Sequence, residues 1–187
     1  MRWVRSVFAL VPLVGLFFSA GGLIAQQPKA SESDVEAVYV FKFSQFITWP
    51  GNARAKSSFD ICILGDDSFG PFLDKTVRGE TVNGKNVVDR HIMRPQEAQS
   101  CSILYISRSE AYRLRQILDT VREWPVLTIS DVPDFADNGG MIQFVLQNGR
   151  VRFEVNLAPA TQAGLTLSSE LLKVAVEVKG AGAQGVP

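Results

Sequence analysis

The sequence predicts an α/β fold: a three-layer α/β/α sandwich with a mostly parallel sheet and an antiparallel edge hairpin. Three observations lead there. Apolar runs at 59–64, 101–106 and 125–129 have the length of buried strands. Amphipathic stretches of helical period lie before and between them, at 33–49 and 107–123. Residues 139–157, GGMIQFVLQNGRVRFEVNL, hold two alternating runs around Asn148-Gly149, a pair favoured where both turn positions need φ > 0.

That last stretch fixes its own register. A two-residue loop sets Gln147 against Arg150, Phe144 against Phe153 and Gln143 against Glu154. One face is then apolar (Ile142, Phe144, Leu146, Val151, Phe153, Val155). The other carries Gln143, Gln147, Arg150, Arg152, Glu154 and Asn156, with Val145 among them.

From the start of the chain, residues 1–25 combine Arg2 and Arg5, an apolar run over 7–18 and small residues near Ala25. This reads as a secretory signal peptide, too short for a spanning helix; the alternative is an uncleaved anchor. Residues 26–32 read as a flexible lead-in, 33–178 as a single domain and 179–187 as a disordered Gly/Ala-rich tail. In the first helix Ser33 and Glu36 are placed as a capping box, and Pro50-Gly51 as the stop. Further strands are expected at 86–93, after an Asn83-Gly84 turn. Beyond the hairpin, a Gly164 kink and an apolar helix over Leu171, Leu172, Val174, Ala175 and Val178 close the domain.

The 187 residues carry 19 Lys+Arg against 19 Asp+Glu, and without Arg2 and Arg5 the balance is about −2. A chain so balanced has no nucleic-acid footprint and no polybasic membrane patch. Export places the two cysteines, Cys62 and Cys101, in an oxidising compartment, and neighbouring strands bring them within bridging range. They form a disulfide or else a pair of buried thiols.

No nucleophile elbow, phosphate loop or metal-ligand spacing is present, so no catalytic residue, metal or cofactor is assigned. His91, the one histidine, reads as structural. The turn Gly65-Asp66-Asp67-Ser68 follows a strand, but its two carboxylates would repel phosphate. The polar face of the hairpin is the part that packing does not explain. Its Arg, carboxylate and amides can meet a protein, a ligand or solvent.

Five blocks in order carry a family resemblance: VEAVYVFKFSQFITWP, FDICILGDDSFGPFLD, CSILYIS, PVLTISD and GGMIQFVLQNGRVRFEVNLAPATQAGLTLSSELLKVA. Together they resemble the YfiR/HmsC-type periplasmic proteins over residues 33–178. The resemblance implies a non-enzymatic periplasmic α/β protein that represses an inner-membrane diguanylate cyclase by binding its sensor domain. It also implies control of cyclic-di-GMP and biofilm, an outer-membrane lipoprotein as a second partner, and a homodimer. Cys62 and Cys101 match the family's core disulfide positions. A second cysteine pair found near the hairpin in some relatives has no counterpart here. Partner or ligand binding is carried onto Gln143, Arg152, Glu154, Asn156, Ser168 and Ser169, which lie in the signature block. The alternative from the residues is a periplasmic small-molecule-binding module that reports to a membrane sensor kinase or cyclase. It calls for a pocket at the carboxyl ends of the parallel strands, near 65–68, 107–109 or Ser130-Asp131.

Overall fold

Residues 59–64 are buried at every position, and the sheet grows outward from them in both directions. The computed structural model describes residues 30–51 and 56–180. The expected signal peptide, the lead-in up to residue 29 and the tail from residue 181 lie outside the described residues.

The strands in chain order are β1 (Ile47–Thr48), β2 (Phe59–Leu64), β3 (Thr81–Val82), β4 (Lys85–Ile92) and β5 (Ile103–Ile106). They continue with β6 (Leu127–Ser130), β7 (Ile142–Gln147), β8 (Arg150–Asn156), β9 (Thr166–Leu167) and β10 (Glu177–Lys179). The helices are α1 (Glu32–Phe43), α2 (Pro71–Val77), α3 (Leu114–Val121), α4 (Leu157–Gln162) and α5 (Ser169–Val174). The central sheet runs β10-β8-β7-β6-β5-β2-β4-β3. Strands β4, β2, β5, β6 and β7 are parallel; β3 and β8 run antiparallel to β4 and β7. The mixed α/β sheet is the one the sequence predicts. The hairpin pairs in the predicted register from Ile142↔Val155 to Gln147↔Arg150, with Asn148 and Gly149 at φ 52° and 68°.

Alternation along the strands sends side chains to two cores. One face carries Phe59, Ile61, Tyr105, Ile129, Phe144 and Phe153 beneath α1, α2 and α5. The other carries Cys62, Leu64, Leu104 and Ile106 beneath α3. Tyr39 and Phe43, one turn apart on α1, seat on the hairpin. The Phe43 ring lies 5.0 Å from Phe153 edge-on and 5.9 Å from Phe144. Each such pair adds about 0.5–1.5 kcal/mol to the burial itself.

Three local expectations are corrected. The capping box of α1 is formed by Ser31 and Asp34, two residues earlier than Ser33 and Glu36, which frees Glu36 for the interior. The helix stops at Phe43, well before Pro50: the buried Ser44 hydroxyl bonds back to the Phe41 carbonyl at 2.6 Å, and the chain tightens into turns in which the Gln45 and Phe46 N–H groups donate to the Lys42 and Phe43 carbonyls at 3.0 Å. Ile47 and Thr48 then pair with Leu167 and Thr166 as a two-stranded ribbon, which suits their β-branched side chains. The apolar helix expected to reach Val178 ends at Val174. Glu177–Lys179 instead extends beside β8, taking Lys179 into the sheet one residue past the expected boundary.

Candidate functional site

A sheet of this order changes direction between β2 and β5, so the crevice outside their carboxyl ends is where a ligand would sit. Here the chain fills that crevice itself. The Ser107 N–H donates to the Leu64 carbonyl at 3.0 Å, and the Asp66 N–H donates to Ser109 Oγ at 2.9 Å. Gly65 has φ +94°, and a Cβ there would lie 2.5 Å from Ser109 Oγ and 2.7 Å from Glu110 Cγ. Glu110 is buried and tied to Arg113. Ser130 is also spent internally: its hydroxyl donates to the Ile106 carbonyl at 2.6 Å and accepts from the Val132 N–H at 3.0 Å.

Beside this crevice lies a polar group that sequence reasoning missed. Glu36 of α1 is only 9% exposed and accepts a hydrogen bond at Oε2 from the Tyr105 hydroxyl, 3.3 Å away. Tyr105 itself is fully buried. Asp131, just past β6, accepts from Arg108 Nε at 2.6 Å through Oδ2, while its Oδ1 is buried without a hydrogen-bond partner. Burial, reinforced by the Asp131 charge, pushes the Glu36 carboxyl up from 4.5 to about 7, against the opposing pull of Tyr105 and Arg108. The Tyr105 phenol is pushed up as well, first by burial and then by the two carboxylates. The signal was present in the sequence: Glu36 shares the helical stripe of Val40 and Phe43, both buried.

The predicted hairpin residues divide by role. Gln143 and Asn156 both hold Ala136 in the 132–138 loop. The Ala136 N–H donates to Gln143 Oε1 at 2.9 Å, and Asn156 Nδ2 donates to the Ala136 carbonyl at 2.8 Å. Asn156 Oδ1 also caps α4 by accepting from the Ala158 N–H. Glu154 lies 3.4 Å from Lys179 Nζ, which reaches Asp137 at 2.7 Å; that hydrogen bond raises the Lys179 pKa. Arg152 is half-buried and takes no carboxylate partner among the described residues. Ser168 N-caps α5 by accepting from the Leu171 N–H at 3.2 Å, and Ser169 is exposed in its first turn. Helix α5 packs through Leu171 onto the apolar side of the sheet, whereas strand alternation turns Arg152 to the side opposite Phe153.

Cys62 and Cys101 form a disulfide with Cα atoms 5.9 Å apart. Cys101 precedes β5, at the end of a 3-10 turn over Pro95–Ser100, and the bridge ties that turn to β2. His91 is half-exposed and faces Asp67 at 3.8 Å. Among the described residues no cluster of three metal-ligating side chains occurs, and no helix is long and apolar enough to cross a membrane.

These features define a doubly wound, disulfide-bonded α/β domain whose ligand crevice is occupied by its own chain. The chain belongs to the YfiR/HmsC-like family, whose model matches residues 33–176. Among solved structures it is similar to a conserved domain protein from Vibrio cholerae, with a TM-score of 0.58 at 9% identity over 81% of this chain and 61% of that one. It is also similar to the ABC domain, in complex with L-Trp, from Streptococcus pneumonia, with a TM-score of 0.50 at 13% identity over 79% of this chain and 60% of that one. The chain thus spans about three fifths of each of these structures, and at such identities the likeness is one of fold.

Proposed function

We propose that this protein is a non-enzymatic periplasmic regulator that binds and represses the sensor domain of an inner-membrane diguanylate cyclase. The family match across residues 33–176 carries the reading. A disulfide suits an exported protein. The filled crevice favours recognition of a protein surface over the alternative, a small-molecule module reporting to a membrane sensor kinase. In this reading the chain is exported by residues 1–25, acts through the domain at 33–178, functions as a homodimer, and is relieved by an outer-membrane lipoprotein.

On the hairpin, Arg152 is the residue offered to the partner, since Gln143 and Asn156 are occupied in holding the adjacent loop. The test is calorimetric titration of the mature protein against the periplasmic domain of a membrane cyclase encoded beside it, with cyclic-di-GMP measured in a deletion strain. Binding together with raised cyclic-di-GMP supports the proposal. No binding and unchanged cyclic-di-GMP would overturn it.

A further inference from the structure

Helix α1 lies against the sheet with a carboxyl group on its buried stripe, where packing alone would call for an apolar residue. Glu36 precedes Val40 and Phe43 by one and two turns, and all three are turned inward. The charged and titratable groups acting on it are Asp131 from the end of β6, Tyr105 from β5, Arg108 from the turn after β5 and Glu32 from α1 itself. The neighbouring helix α2 supplies none of them.

The donors in this seam do not match the acceptors. A tyrosine hydroxyl has one hydrogen; Tyr105 gives it to Glu36 Oε2, and Asp131 competes for the same hydroxyl. Arg108 serves the outer oxygen of Asp131, and Asp131 Oδ1 is left buried without a donor. Two ionised carboxylates in one buried seam repel, whereas a proton on Glu36 removes one charge and adds a donor there. We propose that Glu36, Tyr105 and Asp131 form a proton-operated latch that seats α1 on the sheet, firm when Glu36 is protonated and loosened when it ionises.

The consequence reaches the surface. The same helix carries Tyr39 and Phe43 onto the hairpin rings, and with Val151 it lines a groove of about 510 Å³ beside the hairpin tip. Release of α1 therefore alters that face of the domain. Burial sets the response near neutral pH, because the Glu36 carboxyl is pushed up to about 7.

The test is amide hydrogen exchange on the mature, disulfide-bonded protein from about pH 5 to about pH 8, corrected for intrinsic rates, with β2 amides as the internal reference. Protection of the α1 amides is expected to fall by at least about tenfold relative to β2 across this range, since each unit of pKa difference is worth a factor of ten. E36Q is expected to abolish the change, and D131N to lower the Glu36 pKa. A carboxyl-carbon NMR titration of Glu36 in the unmodified protein answers the question even if the variants fail to fold. An ordinary carboxylate titration there, or α1 protection that tracks β2 at every pH, overturns the latch.

Discussion

Gln143 and Asn156 grip one residue from two strands. Gln143 accepts from the Ala136 N–H at 2.9 Å, and Asn156 donates to the Ala136 carbonyl at 2.8 Å. Ala136 is fully buried; its N–H depends on Gln143, and its carbonyl takes Asn156 as a second donor beside the Gly139 N–H at 3.3 Å. Two amides that read as a contact surface in the sequence are therefore mainly a clamp on the loop between β6 and β7.

Removing Gln143 should leave the buried Ala136 N–H unsatisfied, whereas without Asn156 the Ala136 carbonyl still accepts from the Gly139 N–H at 3.3 Å. Gln143→Ala is expected to cost about 1–3 kcal/mol in urea unfolding, and Asn156→Ala about 0.5–2 kcal/mol, chiefly through the lost cap of α4. Because both act on Ala136, the double variant should depart from additivity by about 0.5 kcal/mol or more. Additive losses would mean that the two bonds are independent.

Arg152 contrasts with them. It has no carboxylate partner among the described residues, so Arg152→Ala should change stability by no more than about 0.5 kcal/mol. If the hairpin face meets the cyclase sensor domain, the same variant should weaken binding about tenfold or more, as an interface arginine does. Unchanged affinity with an intact fold would remove Arg152 from the contact.

The pH dependence of stability follows from Glu36. Its carboxyl is raised from 4.5 to about 7 in the fold, so the folded state prefers the protonated form. Below the unfolded value both states hold the proton and nothing is lost. Between the two values the unfolded chain releases its proton first and stability falls. Above the folded value the penalty is complete, on the order of 2 kcal/mol after solvent screening. Glu36→Gln should therefore stabilise at about pH 8 by that amount and leave stability at about pH 4 nearly unchanged. Thermal unfolding across this range measures it, and a variant that loses stability at high pH would contradict the sign.

Much of the fold was legible because its signals are local. Asn148-Gly149 dictates the turn, the turn dictates the register, and alternation then assigns Phe144 and Phe153 to the core. The strand at 59–64 was likewise written in one apolar run. What escaped depends on partners distant in sequence. Glu36 and Tyr105 are 69 residues apart, so a carboxylate three residues after a serine looked like a cap. Ile47-Thr48 reads as helix until Thr166-Leu167 arrives to pair with it. The division of the hairpin's polar face between clamp and free arginine could not be read either, since it depends on where the 132–138 loop folds back.

The disulfide is the covalent tie between the turn at Pro95–Ser100 and the central strand. It closes a loop with a sequence separation of 39, for which chain entropy gives about 3–4 kcal/mol. Reduction of the native protein should lower the urea midpoint accordingly, and replacing both cysteines by alanine should lower it further, since the packing of two fully buried sulfurs is lost as well. Equal midpoints before and after reduction would show that packing of Cys62 and Cys101 in the second core, without the bond, suffices.

Gly65 tests the closed crevice. Its φ of +94° disfavours any side chain, and an added Cβ would meet Ser109 Oγ at 2.5 Å and Glu110 Cγ at 2.7 Å. Two costs should therefore be separable. Gly65→Ala is expected to destabilise by about 1–3 kcal/mol, part from the backbone and part from the contact. Adding Ser109→Ala removes the nearer clash together with the bond that Ser109 makes to the Asp66 N–H. The double variant should recover only a fraction of the loss, because the strain at φ +94° and the contact with Glu110 remain. Full recovery, read from the urea midpoint, would show that the Ser109 hydroxyl alone demands glycine here and that the turn tolerates a side chain.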